Sequence, residues 1–166
     1  MLPMSTTRRS LLAAGATFGA AALTEGPSAI VRPALAQGLT PTVSMRGGDN
    51  NYRRGAPIVQ RIGNGGFLMS GTVRQAGDGA PLPGIRIQIW AHTTEGYETD
   101  AHSHGATLTD ANGVFRLEMP QIIPAFGQAH GHLAYDDPAF KTVFLRPVMQ
   151  SSRDKSLKAD FVLQSA

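Results

Sequence analysis

The stretch GAPLPGIRIQIW, residues 79–90, predicts a turn followed by a β-strand with two unlike faces. Its prolines and glycines mark the turn, and isoleucines at every second position then alternate with Arg86, Gln88 and Trp90. Because side chains alternate between the two faces of a strand, this pattern places the isoleucines together on one face. We expect that face to join a hydrophobic core, and we interpret the large indole of Trp90 as a core side chain between two sheets.

Short segments of the same kind recur on both sides of this strand, separated by turn signals such as GDG and DANG. The pattern predicts strands at 67–74, 85–91, 107–109, 114–119, 129–135, 142–146 and 157–163. No window favours a helix beyond a turn or two. Seven short strands within about 100 residues predict an all-β fold, an antiparallel β-sandwich spanning residues 67–166.

The first 36 residues have the pattern of an export signal. Paired arginines, Arg8 and Arg9, precede a weakly apolar run at 13–23, and the sequence Ala-Leu-Ala ends at Ala36. These features predict a bacterial twin-arginine signal, residues 1–36, cleaved after Ala36, and hence a periplasmic or secreted protein. An uncleaved membrane anchor is the alternative, but glycine, glutamate and proline interrupt a run that falls short of the ~20 apolar residues of a span. We therefore expect no stable membrane span after cleavage.

Charge and composition narrow the function further. The 166 residues carry a formal charge of +3, but removing residues 1–36 leaves 12 basic against 11 acidic side chains, or +1. No block of lysine and arginine remains to follow a phosphate backbone, which excludes nucleic-acid binding. The chain has no cysteine, which excludes disulfides and thiolate ligands. Any metal must therefore be held by histidine, tyrosine or carboxylate.

Residues 37–66 are rich in glycine, asparagine, proline and arginine and show no sustained period of 2 or 3.6. This composition predicts an extended N-terminal arm or linker. Such an arm either embraces a second subunit of a homo-oligomer or stays disordered. Tyr52 lies within it and could fold back over a site in the sandwich.

All five histidines fall between positions 92 and 132, which points to a metal site. In His130-Gly131-His132 the two imidazoles project from the same face of a strand and can share one metal; the alternative is a pair of surface histidines. His102 and His104 are weaker candidates, because the polar loop that contains them could simply be solvated. We interpret His92, at the end of the Trp90 strand, as a residue that supports a ligand.

Several segments, in this order along the chain, resemble the intradiol ring-cleavage dioxygenases of the protocatechuate 3,4-dioxygenase and catechol 1,2-dioxygenase type. They are SGTV at 70–73, GAPLPGIRIQIW at 79–90, Gly96-Tyr97, TDANGVFR at 109–116 and His130-Gly131-His132. The two turn motifs also occur in non-enzymatic transthyretin-like sandwiches, so Gly96-Tyr97 and the histidine pair favour the dioxygenases. The resemblance implies Fe(III) held by two tyrosinates and two histidines, a small aromatic diol and O2 as substrates, and a muconate-type diacid as product.

By the same resemblance, Tyr97 corresponds to the first tyrosine ligand, and His130 and His132 to the two histidine ligands. The second tyrosine position is occupied by Ile123, and a family arginine is replaced by Gly127.

With one tyrosinate missing, we hypothesise that His104 or His102 completes a histidine-rich site with Tyr97. Fe(II), Cu(II) or Zn(II) would suit such a site about as well as Fe(III). The alternative function is a non-catalytic, exported metal-binding or ligand-binding sandwich.

Overall fold

The computed structural model describes residues 38–125 and 127–166, in which two sheets of short strands form a sandwich. The strands are β1 (Phe67–Gln75), β2 (Arg86–Ala91), β3 (His104–Leu108), β4 (Val114–Met119), β5 (Gly131–Tyr135), β6 (Val143–Leu145), β7 (Ser156–Lys158) and β8 (Phe161–Leu163). A one-turn 3-10 helix, Ala101–Ser103, precedes β3. In the described part of the chain, no helix is long and apolar enough to cross a membrane. The export signal predicted for residues 1–36 lies outside the described residues.

One sheet has the order β4-β1-β7, with β8 also paired to β1, and the other has the order β3-β2-β5-β6. The all-β sandwich predicted from the sequence is confirmed. Not every pairing is antiparallel, however, because β7 and β8 both run parallel to β1.

The single strand predicted at 157–163 is wrong in one respect, since it is divided into β7 and β8. The division lies at Asp160, whose carboxylate accepts hydrogen bonds from the Thr72 backbone N–H at 2.7 Å and from the Thr72 hydroxyl at 2.9 Å. A side-chain acceptor thus replaces a ladder carbonyl at this point, and the two short strands keep the same offset against β1. Sequence alternation does not reveal such a substitution.

The core lies between the two sheets and is built from the inward faces of the strands. On β2 these are Ile87, Ile89 and Ala91, all fully buried, as the alternation predicts. Trp90 is also fully buried, but it belongs to the opposite face of β2 and not to the core between the sheets. The interpretation of Trp90 as a core side chain is therefore wrong. The indole is buried by a different part of the chain.

That part is the segment 38–66, which precedes the first strand. It pairs with the sandwich through single β-bridges, Leu39 to Gly77, Ile58 to Ala106 and Arg61 to Glu118. Its middle lies over the outer face of the β3-β2-β5-β6 sheet, where the carbonyl of Asn50 accepts a hydrogen bond from the Trp90 indole at 2.9 Å. The outer face of this sheet is consequently also buried around Trp90 and His132.

Candidate metal centre

Three side chains that can ligate a metal meet beside the outer face of the β3-β2-β5-β6 sheet. His130 Nε2 lies 3.1 Å from Glu98 Oε1, and His132 Nε2 lies 3.4 Å from Glu98 Oε2. One ligand atom from each residue can be chosen so that all three lie within 4.8 Å of one another, and all three residues are buried. The cluster therefore has the composition and the compactness of a metal site.

The sheet and the loop that follows β2 place these groups. His132 is on β5, directly opposite Trp90 of β2, and His130 immediately precedes β5, so the two imidazoles share a face with ring centroids 5.0 Å apart. Glu98 comes from the loop between β2 and β3. Its backbone carbonyl accepts a hydrogen bond from His104 Nε2 at 2.8 Å, which ties this loop to the start of β3.

Backbone carbonyls select the imidazole tautomers. His132 Nδ1 lies 3.1 Å from the Gly48 carbonyl, and His130 Nδ1 lies 2.8 Å from the Gln128 carbonyl. A carbonyl oxygen only accepts, so each Nδ1 must carry the proton. The guanidinium of Arg146 is also 3.3 Å from His130 Nδ1, but two donors cannot bond each other, so the shorter carbonyl contact decides. In the neutral imidazoles, both Nε2 lone pairs are left free toward Glu98.

The environment of these atoms fits a bound cation. Among the described residues, His132 Nε2 and Glu98 Oε1 are buried without a hydrogen-bond partner, even though the imidazoles and the carboxylate lie close together. Leaving a buried acceptor unsatisfied costs about 1–3 kcal/mol, and facing lone pairs repel each other. A positive ion among them satisfies all three groups at once. Donation of each Nδ1 proton to a carbonyl is also how ligating histidines are usually oriented.

Glu98 is ionised in this setting. In the metal-free protein, a proton on Nε2 of His130, and then one on Nε2 of His132, would donate to this carboxylate and hold the pKa of the carboxyl well below the usual range, against the opposing effect of burial. A bound cation would take the place of those protons. Two imidazoles and one carboxylate form the ligand set of many non-haem Fe(II) oxygenases and of some zinc enzymes, and both classes keep coordination positions open for other ligands.

The indole of Trp90 separates His104 from this cluster. Its indole stacks on His132 with centroids 5.1 Å apart and on His104 at 5.5 Å, with interplanar angles of 11° and 8°. Because β2 lies between β3 and β5, the indole stands between the two imidazoles. Burial lowers the pKa of His104, which favours the neutral ring that donates through Nε2 to the Glu98 carbonyl.

The other sequence-predicted ligands lie further out. Tyr97 is 65% exposed and stacks on His92, with ring centroids 4.9 Å apart. His102 is exposed, with Nε2 3.3 Å from the Glu95 carbonyl. The structure thus brings His130 and His132 together with Glu98, and it does not bring Tyr97, His102 or His104 into that cluster. A ligand role for Tyr97 stays a prediction.

The structure also shows the surroundings of the two positions at which the sequence departs from the dioxygenase pattern. Ile123 is half-buried, and its amide donates to the His92 carbonyl at 3.1 Å. Gly127 lies in an exposed turn with a φ of 86°. Glu98 was not singled out from the sequence. Its only signal is that it directly follows Tyr97, and the neighbouring acids Glu95 and Asp100 make that signal ambiguous.

A cleft of about 390 Å³ reaches the cluster at Glu98. Glu98 lines it together with Asn51, His92, Tyr97, Thr99, Pro124 and Ala125. The stacked rings of Tyr97 and His92 supply an aromatic surface, and Pro124 and Ala125 supply an apolar one. A planar ring of modest size could therefore reach the carboxylate of Glu98.

Several solved structures with the same architecture are dioxygenases. Hydroxyquinol 1,2-dioxygenase from Pseudomonas putida DLL-E4 superposes with a TM-score of 0.58 at 14% identity, over 79% of this chain and 69% of that one. The fold is intradiol dioxygenase-like. 3-Chlorocatechol 1,2-dioxygenase from Rhodococcus opacus 1CP gives a TM-score of 0.56 at 16% identity, over 78% of this chain and 74% of its own.

A shorter structure shares the intradiol dioxygenase-like fold over nearly its whole length. It is the dioxygenase domain of a dioxygenase and carbohydrate-binding protein fusion from Streptomyces sp. SirexAA-E, with a TM-score of 0.57 at 18% identity, covering 76% of this chain and 99% of that domain. The sequence matches no protein-family model and no curated protein. At these identities the likeness concerns the fold, and the chemistry has to be argued from the site.

Proposed function

We propose that this chain is an exported non-haem iron enzyme that cleaves a catechol-type aromatic ring with O2, between the two hydroxyl-bearing carbons, to a muconate-type diacid. The observation that carries the proposal is the buried cluster of Glu98, His130 and His132 beside an open cleft in an intradiol dioxygenase-like fold. The twin-arginine pattern at residues 1–36 supports a periplasmic site of action.

Each residue of the cluster has a definable role. His130 and His132 would each offer Nε2 to a metal, because their Nδ1 atoms donate to backbone carbonyls. Glu98 offers one negative charge. A bound metal supplies positive charge that stabilises a deprotonated diol and the open positions at which the diol can bind. One carboxylate offsets part of that charge, so a dianionic diol remains attracted to the site.

The cleft supplies binding and orientation. Tyr97 and His92 present stacked rings against which an aromatic substrate can lie, and Pro124 and Ala125 shield it from water. Asn51 and Glu98 form the polar part of the lining, toward which the diol would point. Holding the ring and the diol in this way places the reacting atoms together, which is a large part of what such a site can contribute.

The donor set of the cluster suits more than one metal. The resemblance favours Fe(III), which prefers anionic oxygen ligands, whereas two imidazoles and one carboxylate also suit Fe(II), Cu(II) and Zn(II). A ferric centre that included Tyr97 would give a visible tyrosinate charge-transfer band. A colourless iron protein would instead indicate that the cluster holds the metal without a phenolate.

The test combines metal analysis with oxygen uptake. The exported protein is purified without added chelator, its metal content is measured, and O2 consumption is followed with catechol, protocatechuate, hydroxyquinol and 3-chlorocatechol. We expect about one metal per chain and one O2 consumed per diol cleaved, with muconate absorbance rising in parallel. Glu98→Gln should abolish the activity. A metal-replete protein that consumes no O2 with any of these diols would falsify ring cleavage for them.

A second candidate function is a metal-binding sandwich without catalysis. It is favoured by Ile123, an apolar side chain where the resemblance expects the second tyrosine ligand, and by the exposure of Tyr97. This candidate predicts the same metal content and no turnover. The oxygen measurement therefore separates the two functions.

A further inference from the structure

The turn at residues 47–51, with the sequence GGDNN, contacts three of the side chains that build the candidate site. The Gly48 carbonyl accepts from His132 Nδ1 at 3.1 Å, and the Asn50 carbonyl accepts from the Trp90 indole at 2.9 Å. The Asn51 amide Nδ2 donates to Glu98 Oε2 at 3.0 Å. Five consecutive residues therefore supply a partner to a histidine, to the indole stacked on it and to the carboxylate.

The backbone of this turn is specialised for that position. Asn51 has a φ of 58° and is the only non-glycine residue at positive φ within residues 38–125 and 127–166. Asparagine is among the few side chains that tolerate this region. A Cβ on Gly48 would lie 2.8 Å from the Phe144 carbonyl oxygen, a backbone atom that cannot easily move. The turn is thus seated closely against the edge of the sheet.

The contact from Asn51 orients the carboxylate. Its amide occupies one lone-pair direction of Glu98 Oε2, while Oε1 faces His130 Nε2 and has no hydrogen-bond partner in the described residues. Without this donor, the Glu98 side chain could rotate toward the solvent of the cleft, because Glu98 and Asn51 both line it. Rotation would remove the only anionic group of the cluster from the two imidazoles.

We infer that Asn51 is a positioning residue that holds Glu98 in its metal-binding orientation, and that the turn at 47–51 is a built part of the metal centre. The inference rests on the metal site of the proposed function and goes beyond its ligands. It assigns a specific role to a segment that sequence reasoning interprets as an arm or linker. Hydrogen-bond partners of metal ligands typically change metal affinity by about 10–100-fold when they are removed.

The test measures metal affinity directly. The chain has a single tryptophan, and its ring is stacked 5.1 Å from that of His132, so Co(II) bound at the cluster should quench the fluorescence of Trp90. The full chain, stripped of metal, is titrated with Co(II) and then with Zn(II) as a competitor that does not quench. Asn51→Gly removes the amide and keeps a backbone that tolerates positive φ.

A matched control exists in the same segment. Asn64 Nδ2 donates to Glu95 Oε1, also at 3.0 Å, but that pair is exposed and lies outside the cluster. We expect Asn51→Gly to raise the Co(II) dissociation constant about 10–100-fold, and Asn64→Ala to leave it unchanged. Thermal unfolding of the metal-free proteins checks that both variants are folded. A merely structural role of Asn51 would lower that unfolding temperature without changing Co(II) affinity in the folded protein.

The outcomes separate this inference from the proposed function. If Asn51→Gly binds Co(II) as tightly as the wild type, or if the wild type binds none, the inference is wrong. If the wild type binds Co(II) and its iron form consumes no O2 with diols, ring cleavage fails while the dissociation constants still decide the role of Asn51. If O2 is consumed and the two Co(II) affinities are equal, the function stands and the positioning role does not.

Discussion

The two faces of the β3-β2-β5-β6 sheet are both buried at their centres and are chemically unlike. The inner face presents Ile87, Ile89 and Leu133 to the other sheet. The outer face presents Trp90 and His132, covered by a segment that forms no strand. Apolar side chains need only close packing, whereas each buried polar atom needs a partner, and backbone carbonyls of the covering segment supply several of them. The inner face therefore stabilises the fold, and the outer face carries the candidate site.

This comparison predicts that substitutions on the two faces separate metal binding from stability. The largest effect is expected from the double variant His130→Ala/His132→Ala. Removing two of three donors should raise the Co(II) dissociation constant by on the order of 100-fold or more and abolish O2 uptake, because the remaining carboxylate cannot bind a metal alone. Trp90 quenching and metal analysis provide the measurement.

The control for that variant is His102→Ala, an exposed histidine outside the cluster. It should bind metal as the wild type does. A loss of metal in His102→Ala would instead support the hypothesis that this residue replaces the missing tyrosine. Unchanged metal content in the double variant would show that the cluster is not the metal site.

On the inner face, Ile89→Ala should lower the stability of the protein and leave metal binding unchanged. Ile89 is fully buried in the core, and truncating such a side chain typically costs about 2–5 kcal/mol of unfolding free energy, from lost burial and the cavity left behind. The Co(II) affinity of the folded protein should not change. Chemical denaturation of the metal-free protein measures the first quantity, and Trp90 quenching the second.

A milder variant guards against complete unfolding in that experiment. Ile89→Val should cost about 0.5–1.5 kcal/mol and leave metal binding unaltered. If either substitution weakened metal binding in a protein shown to be folded, the two faces of β2 would not be separable. The assignment of stability to one face and the site to the other would then be wrong.

The sequence predicts the inner face better than the outer one for a physical reason. Alternation along β2 depends only on neighbouring residues, so Ile87 and Ile89 could be assigned to the core directly. The same alternation already places Trp90 on the other face. The interpretation of Trp90 as a core side chain is wrong because it depends only on the general tendency of large indoles to fill cores. The spacing of His130 and His132 also brings them together locally.

The rest of the site depends on contacts between distant segments. Glu98 reaches the histidines from a loop, 32 residues before His130, and Asn51 reaches Glu98 from 47 residues away. No local period marks either residue. The division of the last predicted strand likewise depends on Asp160 meeting Thr72 across 88 residues. Such contacts follow from the fold. The sequence alone could therefore identify the types of residue that ligate the metal, but not the full set of residues in the site.

A smaller effect is expected from Tyr97→Phe, which tests whether Tyr97 belongs to the metal site on the outer face. Tyr97 is mostly exposed and stacks on His92 outside the cluster, and phenylalanine keeps that stacking. Metal content and Co(II) affinity should therefore match the wild type, with any change confined to the KM for the diol. If Tyr97→Phe lost iron, or lost a visible charge-transfer band present in the wild type, Tyr97 would be a ligand as the resemblance implies.

The smallest effect is expected on stability at high pH, through Tyr52 in the segment that covers the outer face of the sheet. Tyr52 packs against Trp90 and Phe144, and its hydroxyl donates to Asp136. Burial, and then the hydrogen bond to Asp136, raises the pKa of Tyr52 from 10.0 to about 12. The folded state thus favours the protonated phenol, and this contribution to stability is complete below pH 10 and is lost as the pH rises toward 12.

Tyr52→Phe should therefore lower the unfolding free energy at pH 8 and flatten its decline between pH 10 and pH 12 relative to the wild type. Denaturant midpoints measured across this range provide the comparison. Burial also raises the pKa of Tyr135, on the inner face, so part of the alkaline slope must survive in the variant. Parallel curves for the two proteins would mean that Tyr52 is not held against the outer face. The covering segment would then be looser than its contacts with Trp90 indicate.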